Sequence, residues 1–101
     1  MINLQIKIKD LIWCEDARNW DDYTESFTDI LYYLTEPLEN GGRLTVLDRL
    51  TGYSGYVRDI ETGYRDEKGE FYCASGGFDI RDYPELTIEE AIDKIIANSG
   101  F

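Results

Sequence analysis

Residues Trp20–Leu34 read WDDYTESFTDILYYL. Trp20, Tyr23, Phe27, Ile30, Leu31 and Leu34 recur at spacings of three and four, which would place them on one face of a helix. Asn19 stands at the N-cap position, and Asp21 and Asp22 fall in the first turn, where the helix dipole favours negative charge. Pro37 ends the element, because the residue before a proline is pushed out of the helical region. The spacing predicts a helix over residues 20–35, and the rest of the fold is arranged around it.

Upstream, Ile2, Leu4, Ile6 and Ile8 alternate with Asn3, Gln5, Lys7 and Lys9. Period-two alternation of branched residues predicts a half-buried strand. The apolar run Leu11–Cys14 either continues that strand or leaves it through a bend. Downstream, Glu39-Asn40-Gly41-Gly42 is a loop by composition, and strands follow at 43–50, 56–65 and 70–74. Thr51-Gly52-Tyr53-Ser54-Gly55 joins the first two. Asp66-Glu67-Lys68-Gly69 joins the next pair as a type I turn with Gly69 in the left-handed position. Ser75-Gly76-Gly77 breaks the ladder, and Phe78–Tyr83 is either a short extension or an ordered loop. The last element is a helix opened by the capping box Thr87-Ile88-Glu89-Glu90, with Leu86 and Ala91 placed as a hydrophobic staple. Its apolar face is Ile88, Ala91, Ile92, Ile95 and Ile96, and Asn98-Ser99-Gly100 ends it.

The predicted order is β-α-β-β-β-α. Each helix has one apolar stripe, so the economical α+β arrangement is a mainly antiparallel sheet of about four strands with both helices on one face. A chain of 101 residues fits a single domain over 1–101. Small domains bury proportionally little surface, which leaves room for a homo-oligomer.

Composition narrows the function. Ten basic residues against twenty-one acidic ones give a formal charge of −11, which argues against direct binding to nucleic acid or to an anionic membrane. With no His, the usual general base and commonest metal ligand are missing. Cys14 and Cys73 are far apart in the sequence and form no CxxC, so they read as buried thiols, with a disulfide or a reactive thiol as the alternatives. Met1-Ile2-Asn3-Leu4 lacks the pattern of a signal peptide, and no apolar stretch approaches a membrane span, so the expected location is cytoplasmic.

No phosphate loop, dinucleotide fingerprint, nucleophilic triad or calcium loop is present. Asp59 and Glu61 share a strand face and have the residue types of a glycosidase pair. With so many acids, however, such pairs arise by chance, and the chain is small for a deep cleft. The reading is therefore of a non-enzyme without cofactor or metal.

Charge distribution says more than motifs. From Asp10 to Glu39 there are nine carboxylates and Arg18 alone to offset them. On the expected helix, Asp22, Glu25, Asp29 and Glu36 lie opposite the apolar stripe, beside Tyr32 and Tyr33. Such a face is either a plain solvated surface or a docking face for a basic partner. The candidate partner-binding residues are Asp22, Glu25, Asp29, Tyr33 and Glu36. A second surface is dense in aromatics (Tyr53, Tyr56, Tyr64, Phe71, Tyr72, Phe78, Tyr83) with Arg58, Arg65 and Arg81 among them. Arg58, Tyr64 and Arg65 are the alternative candidates, for a bound nucleotide or signal molecule.

The run from Asp59 through Asp66, continuing through Gly76-Gly77-Phe78-Asp79-Ile80-Arg81 to the capped last helix, resembles small proteins encoded by phages and prophages. In size, acidity and lack of catalytic residues the chain is similar to phage inhibitors of bacterial defence, including anti-CRISPR proteins and DNA mimics. The resemblance implies stoichiometric protein binding in the bacterial cytoplasm, and the leading reading is an inhibitor that blocks a basic, nucleic-acid-handling surface on a host complex. These are groups by behaviour, so no functional residue is carried over from them.

Overall fold

The computed structural model describes residues 1–51 and 57–100. Five strands, β1 (Cys14–Asp21), β2 (Ser26–Tyr33), β3 (Arg43–Thr51), β4 (Val57–Arg65) and β5 (Phe71–Ala74), form one sheet in the order β1-β2-β3-β4-β5. Every neighbouring pair is antiparallel. Among the described residues there is one α-helix, α1 (Ile88–Asn98), together with 3-10 turns at Ile8–Asp10 and Ile80–Asp82. The class is α+β with an antiparallel sheet, as expected, but built from five strands and one helix rather than four and two.

The difference lies in the first third of the chain. Residues 20–35 do not form a helix; they supply the end of β1, a turn, and β2. Asp21 organises that turn by accepting the Tyr23 N–H at 3.0 Å and the Thr24 hydroxyl at 3.1 Å. Asx turns of this kind compete with helix initiation. β2 itself reads SFTDILYY, and its aromatic and β-branched residues favour a pleated strand. Helical spacing arises because apolar residues occupy both faces of the strand. Ile30 and Tyr32 face α1's side of the sheet, while Phe27, Leu31 and Tyr33 face the other.

The expected strand over Ile2–Ile8 is also absent. The segment makes only isolated bridges, Ile2 with Leu38 and Lys7 with Thr87, and then enters the turn at Ile8–Asp10. Its alternating residues are used differently. Ile8 is buried, Ile2 and Leu4 pack against the core, and the backbone runs along the start of α1. The Leu11–Cys14 run leaves through extended chain, and Cys14 opens β1.

The C-terminal half follows its sequence closely. β3, β4 and β5 lie where alternation puts them, although residues 52–56 of the connection, with Tyr53 and Tyr56, lie outside the described residues. Gly69 sits at φ 87° and donates its N–H to Asp66 O, which is the left-handed position the turn required. Helix α1 has the full capping box, with Glu90 N–H donating to Thr87 Oγ1 and Thr87 N–H to Glu90 Oε1. Ile88, Ala91, Ile92 and Ile95 are buried against β5 and β4, while Ile96, at the edge of the stripe, is 39% exposed. Burial stabilises by roughly 1.5–3 kcal/mol for each of the three buried isoleucines.

The core lies between α1 and one face of the sheet, where Leu44, Val46, Tyr64 and Ala74 meet Ile80, Ile88 and Ile95. One polar group is fully buried there. The Thr62 hydroxyl donates to Phe78 O and accepts the Ile80 N–H, both at 3.0 Å, fastening the 78–83 segment to β4. Asp79 next to it is held by Arg81 through three side-chain contacts of 2.8–3.2 Å, and Arg81 lies 4.1 Å over the Tyr32 ring. Burial pushes the Asp79 carboxyl up, but the Arg81 hydrogen bonds and charge outweigh it and hold the group below its ordinary 3.8.

Two expectations follow from these contacts. Thr62→Val preserves shape but leaves the Ile80 N–H unpaired in the core, so urea unfolding should show a loss of about 1–3 kcal/mol. Asp79 contributes stability that is present above its unfolded pKa and is lost as pH falls through its lower folded value. Acid unfolding below the ordinary carboxylate range should therefore be less steep in Asp79→Asn than in the parent chain.

Candidate docking site

Helix α1 covers β4 and β5, and the 78–83 segment covers the middle of the sheet. The far end of the β1–β2 hairpin is left bare, and the molecule is correspondingly long, with extents of 43 × 28 × 27 Å. Trp20 and Phe27 are directly opposed in register there. Their rings meet edge to face at 5.1 Å, and Trp20 Nε1 donates to Asp22 at 2.9 Å. Burial of these rings is incomplete, with Trp20 55% exposed, Phe27 49% and Tyr23, at the tip, 94%. Asp22 and Glu25 stand exposed in the same turn, and Glu25 has φ 52° where the chain reverses.

On the α1 side of this end, two adjoining depressions of about 270 and 150 Å³ share Thr28 and Leu50 in their walls. The smaller also touches Ile30 and the Arg58–Asp48 pair. Both faces of the hairpin end therefore offer apolar surface, and the carboxylate that lines the α1 side, Asp48, is already paired with Arg58.

The opposite face of the sheet carries a charge ladder. Arg18, Asp29, Arg49 and Asp59 are consecutive register partners across β1, β2, β3 and β4, so the sign alternates from strand to strand. These four are register neighbours rather than ion pairs: Arg18 meets Asp16, and Asp29 accepts from Asn19 and Thr28. Arg49 Nη2 also donates to Glu61 at 2.6 Å. Farther along this face Gly63 lies beneath the Phe71 ring, and a Cβ at Gly63 would stand 2.8 Å from it.

The acidic candidates do not share one face, because the helix meant to display them is absent. Asp22 and Glu25 are at the hairpin turn. Asp29 is 7% exposed and accepts from Asn19 Nδ2 and from the Thr28 hydroxyl, so it is engaged inside the hairpin. Tyr33 is at the other end of β2, and Glu36 lies in the loop beyond it, 3.6 Å from the Met1 amino group. The two ends of β2 are ~25 Å apart.

Arg58, Tyr64 and Arg65 are not gathered either. Arg58 pairs with Asp48 at 2.6 and 2.9 Å. Tyr64, six residues further and ~20 Å along the strand, is buried and accepts from Asn40 Nδ2 at 3.0 Å. Arg65 points to the opposite face, its guanidinium 5.0 Å over Phe71. Asp59 and Glu61 do share a face, but Glu61 is tied to Arg49 on an open sheet surface.

Trp20, Tyr23 and Phe27 form the part of the site that sequence reasoning assigned to a helix's buried stripe. The signal that could have placed them was the polar block Asp21-Asp22-Tyr23-Thr24-Glu25-Ser26 between two aromatic-bearing runs, which has the composition of a hairpin turn. Among the described residues no three acidic or cysteine side chains converge as metal ligands would, and no helix is long and apolar enough to cross a membrane. No protein-family model, curated protein or solved structure matches the chain.

Cys14 and Cys73 are both free thiols. They lie on opposite edge strands, four strand spacings or ~19 Å apart, which is well beyond disulfide reach. Burial, then the charge of Glu61, pushes the Cys73 thiol above its ordinary 9.0, and its Sγ donates to Glu61 at 3.6 Å. Mass-resolved alkylation across pH 7 to 10 should show Cys73 reacting later, and with a more alkaline midpoint, than a free cysteine. No intramolecular disulfide should form under mild oxidation.

Proposed function

We propose that the chain is a non-enzymatic protein-binding module that docks through the free end of its β1–β2 hairpin onto a basic protein surface. The observation that carries this is the cluster of Trp20, Tyr23 and Phe27, left largely uncovered and bordered by Asp22 and Glu25. Aromatic anchors of this type dominate the energy of protein interfaces. Carboxylates around them steer a basic partner in and set the salt dependence of association. The resemblance to acidic phage inhibitors points the same way. It makes the target a nucleic-acid-handling or defence complex of the bacterial host, blocked by stoichiometric occupation of its basic surface.

The test is capture from nuclease-treated bacterial lysate at low salt, followed by titration of the retained protein with purified variants. Tyr23→Ala removes a ring that supports nothing in the fold and should weaken binding by roughly 30-fold, the loss expected of a central anchor. Asp22→Lys with Glu25→Lys should slow association and flatten the salt dependence. Binding that is unaffected by both variants would exclude the hairpin end as the docking site.

A further inference from the structure

The charge ladder on the open face ends at an edge. Among the described residues no strand pairs with the outer side of β1, so Arg18 has Asp29 on one flank and nothing on the other. Asp16, two residues away on the same face, pairs only with Leu31 across the sheet, and its carboxylate meets the Arg18 guanidinium at 2.9 Å. A strand added here must present an acid opposite Arg18 and a base opposite Asp16. β1 contains no proline and no lysine and has the small, exposed Ala17 between the two charges; its charged residues and the kink at Asn19 restrict pairing to the stretch around Ala17.

We infer that β1 is a self-association edge that pairs antiparallel with β1 of a second copy, with Ala17 on the two-fold axis. In that register Asp16 faces Arg18 of the second copy, and Arg18 faces its Asp16. The alternation Asp59, Arg49, Asp29, Arg18 is then extended by one carboxylate, Asp16 of the second copy, before it ends at that copy's Leu31. Glu15 meets Asn19, Cys14 meets Trp20, and no like charges are opposed. Residues opposed across a two-fold pair share a face, so the register moves in steps of two. One step one way sets Asp16 against itself, and one step the other way sets Arg18 against itself and Glu15 against Asp21. Charge therefore disfavours both neighbouring registers, and the kink at Asn19 (φ 60°) disfavours an axis placed beyond Arg18.

Asn19, at φ 60°, bends the strand beyond Arg18 and confines the tight pairing to the residues around the axis. The interface is correspondingly small and its occupancy depends on concentration. Each copy carries a charge of −11, so association strengthens as salt screens the overall repulsion. This is the reverse of docking to a basic partner, and the inference is independent of the function proposed above.

Sedimentation at roughly millimolar protein should show a species of twice the 11.7 kDa monomer, growing between about 0.02 and 0.3 M salt. Asp16→Arg alone should stay monomeric, as should Arg18→Asp alone, each checked for fold by circular dichroism. An equimolar mixture of the two should recover the dimer, because one variant then presents a base at both positions and the other an acid at both. Ala17→Cys gives a measure that does not depend on charge. Opposed Cα atoms lie within disulfide reach, so it should cross-link to its own copy about tenfold faster than Glu15→Cys, whose two copies would stand ~13 Å apart. A wild-type chain monomeric throughout, a mixture that fails to recover, or equal cross-linking of the two cysteine variants would each overturn the inference. If salt dissolves the dimer and the mixture stays monomeric, the inference is equally overturned, and the edge accepts a strand from another protein instead.

Discussion

The first turn of α1 has backbone N–H groups that no helix can satisfy internally, and the fold is organised around pairing them. Ile88 N–H donates to Ile6 O at 2.9 Å and Glu89 N–H to Leu4 O at 3.0 Å, while Thr87 Oγ1 accepts the Glu90 N–H. The acceptors Leu4 and Ile6 belong to the opposite end of the sequence. An eleven-residue helix is marginal by itself, and this arrangement makes its formation conditional on the N-terminal segment. That segment is in turn held by Ile8 N–H donating to Leu86 O and by Lys7 and Lys9 pairing with Glu85 at 3.1 Å. Helix, strap and core thus stabilise one another, and the two outer strands β1 and β2 extend from that block without a layer on their far half.

This division also explains what could be read from the sequence. In the C-terminal half each residue pattern has one structural use. Gly69 can only close a turn, Thr87 and Glu90 can only cap, and the β3 and β4 alternation matches a sheet covered on one face. In the first third the pattern has two uses. Trp20, Phe27, Ile30 and Leu34 fit a helical stripe, and they also fit a hairpin whose two faces both carry apolar residues. The side-chain bonds of Asp21 and the β-forming character of β2 decide between them, and periodicity does not report either. The Ile2–Ile8 alternation was misleading for a related reason. Ile2, Leu4 and Ile8 meet the core without a neighbouring strand, through a turn closed by Ile6 N–H donating to Asn3 O, while Ile6 itself is exposed and the neighbour is the start of a helix.

The site was legible to the extent that local charge counts. Asp22 and Glu25 are exposed, as their surroundings suggested, because a hairpin turn and a helix surface both solvate carboxylates. Asp29 was misplaced because its role depends on Asn19, which reaches it only across the hairpin, alongside the adjacent Thr28 hydroxyl. The same dependence makes the acidity less uniform than it looks in one dimension. Asp29 and Asp59 are interleaved with Arg18 and Arg49 in the ladder, so the net charge is expressed mainly at the tip and in the loops.

The strap has a consequence for how the chain acquires its structure. The sheet is a meander in which every strand pairs with its sequence neighbour, so its hairpins close over short loops and can form early. The contacts of Leu4 and Ile6 with residues 88 and 89 span most of the chain and must come after the sheet is in place. During synthesis the strap emerges before the helix that completes it. In the finished protein the same long closure makes release of the strap and fraying of α1 a natural partial opening, one that leaves the meander and its free hairpin end assembled.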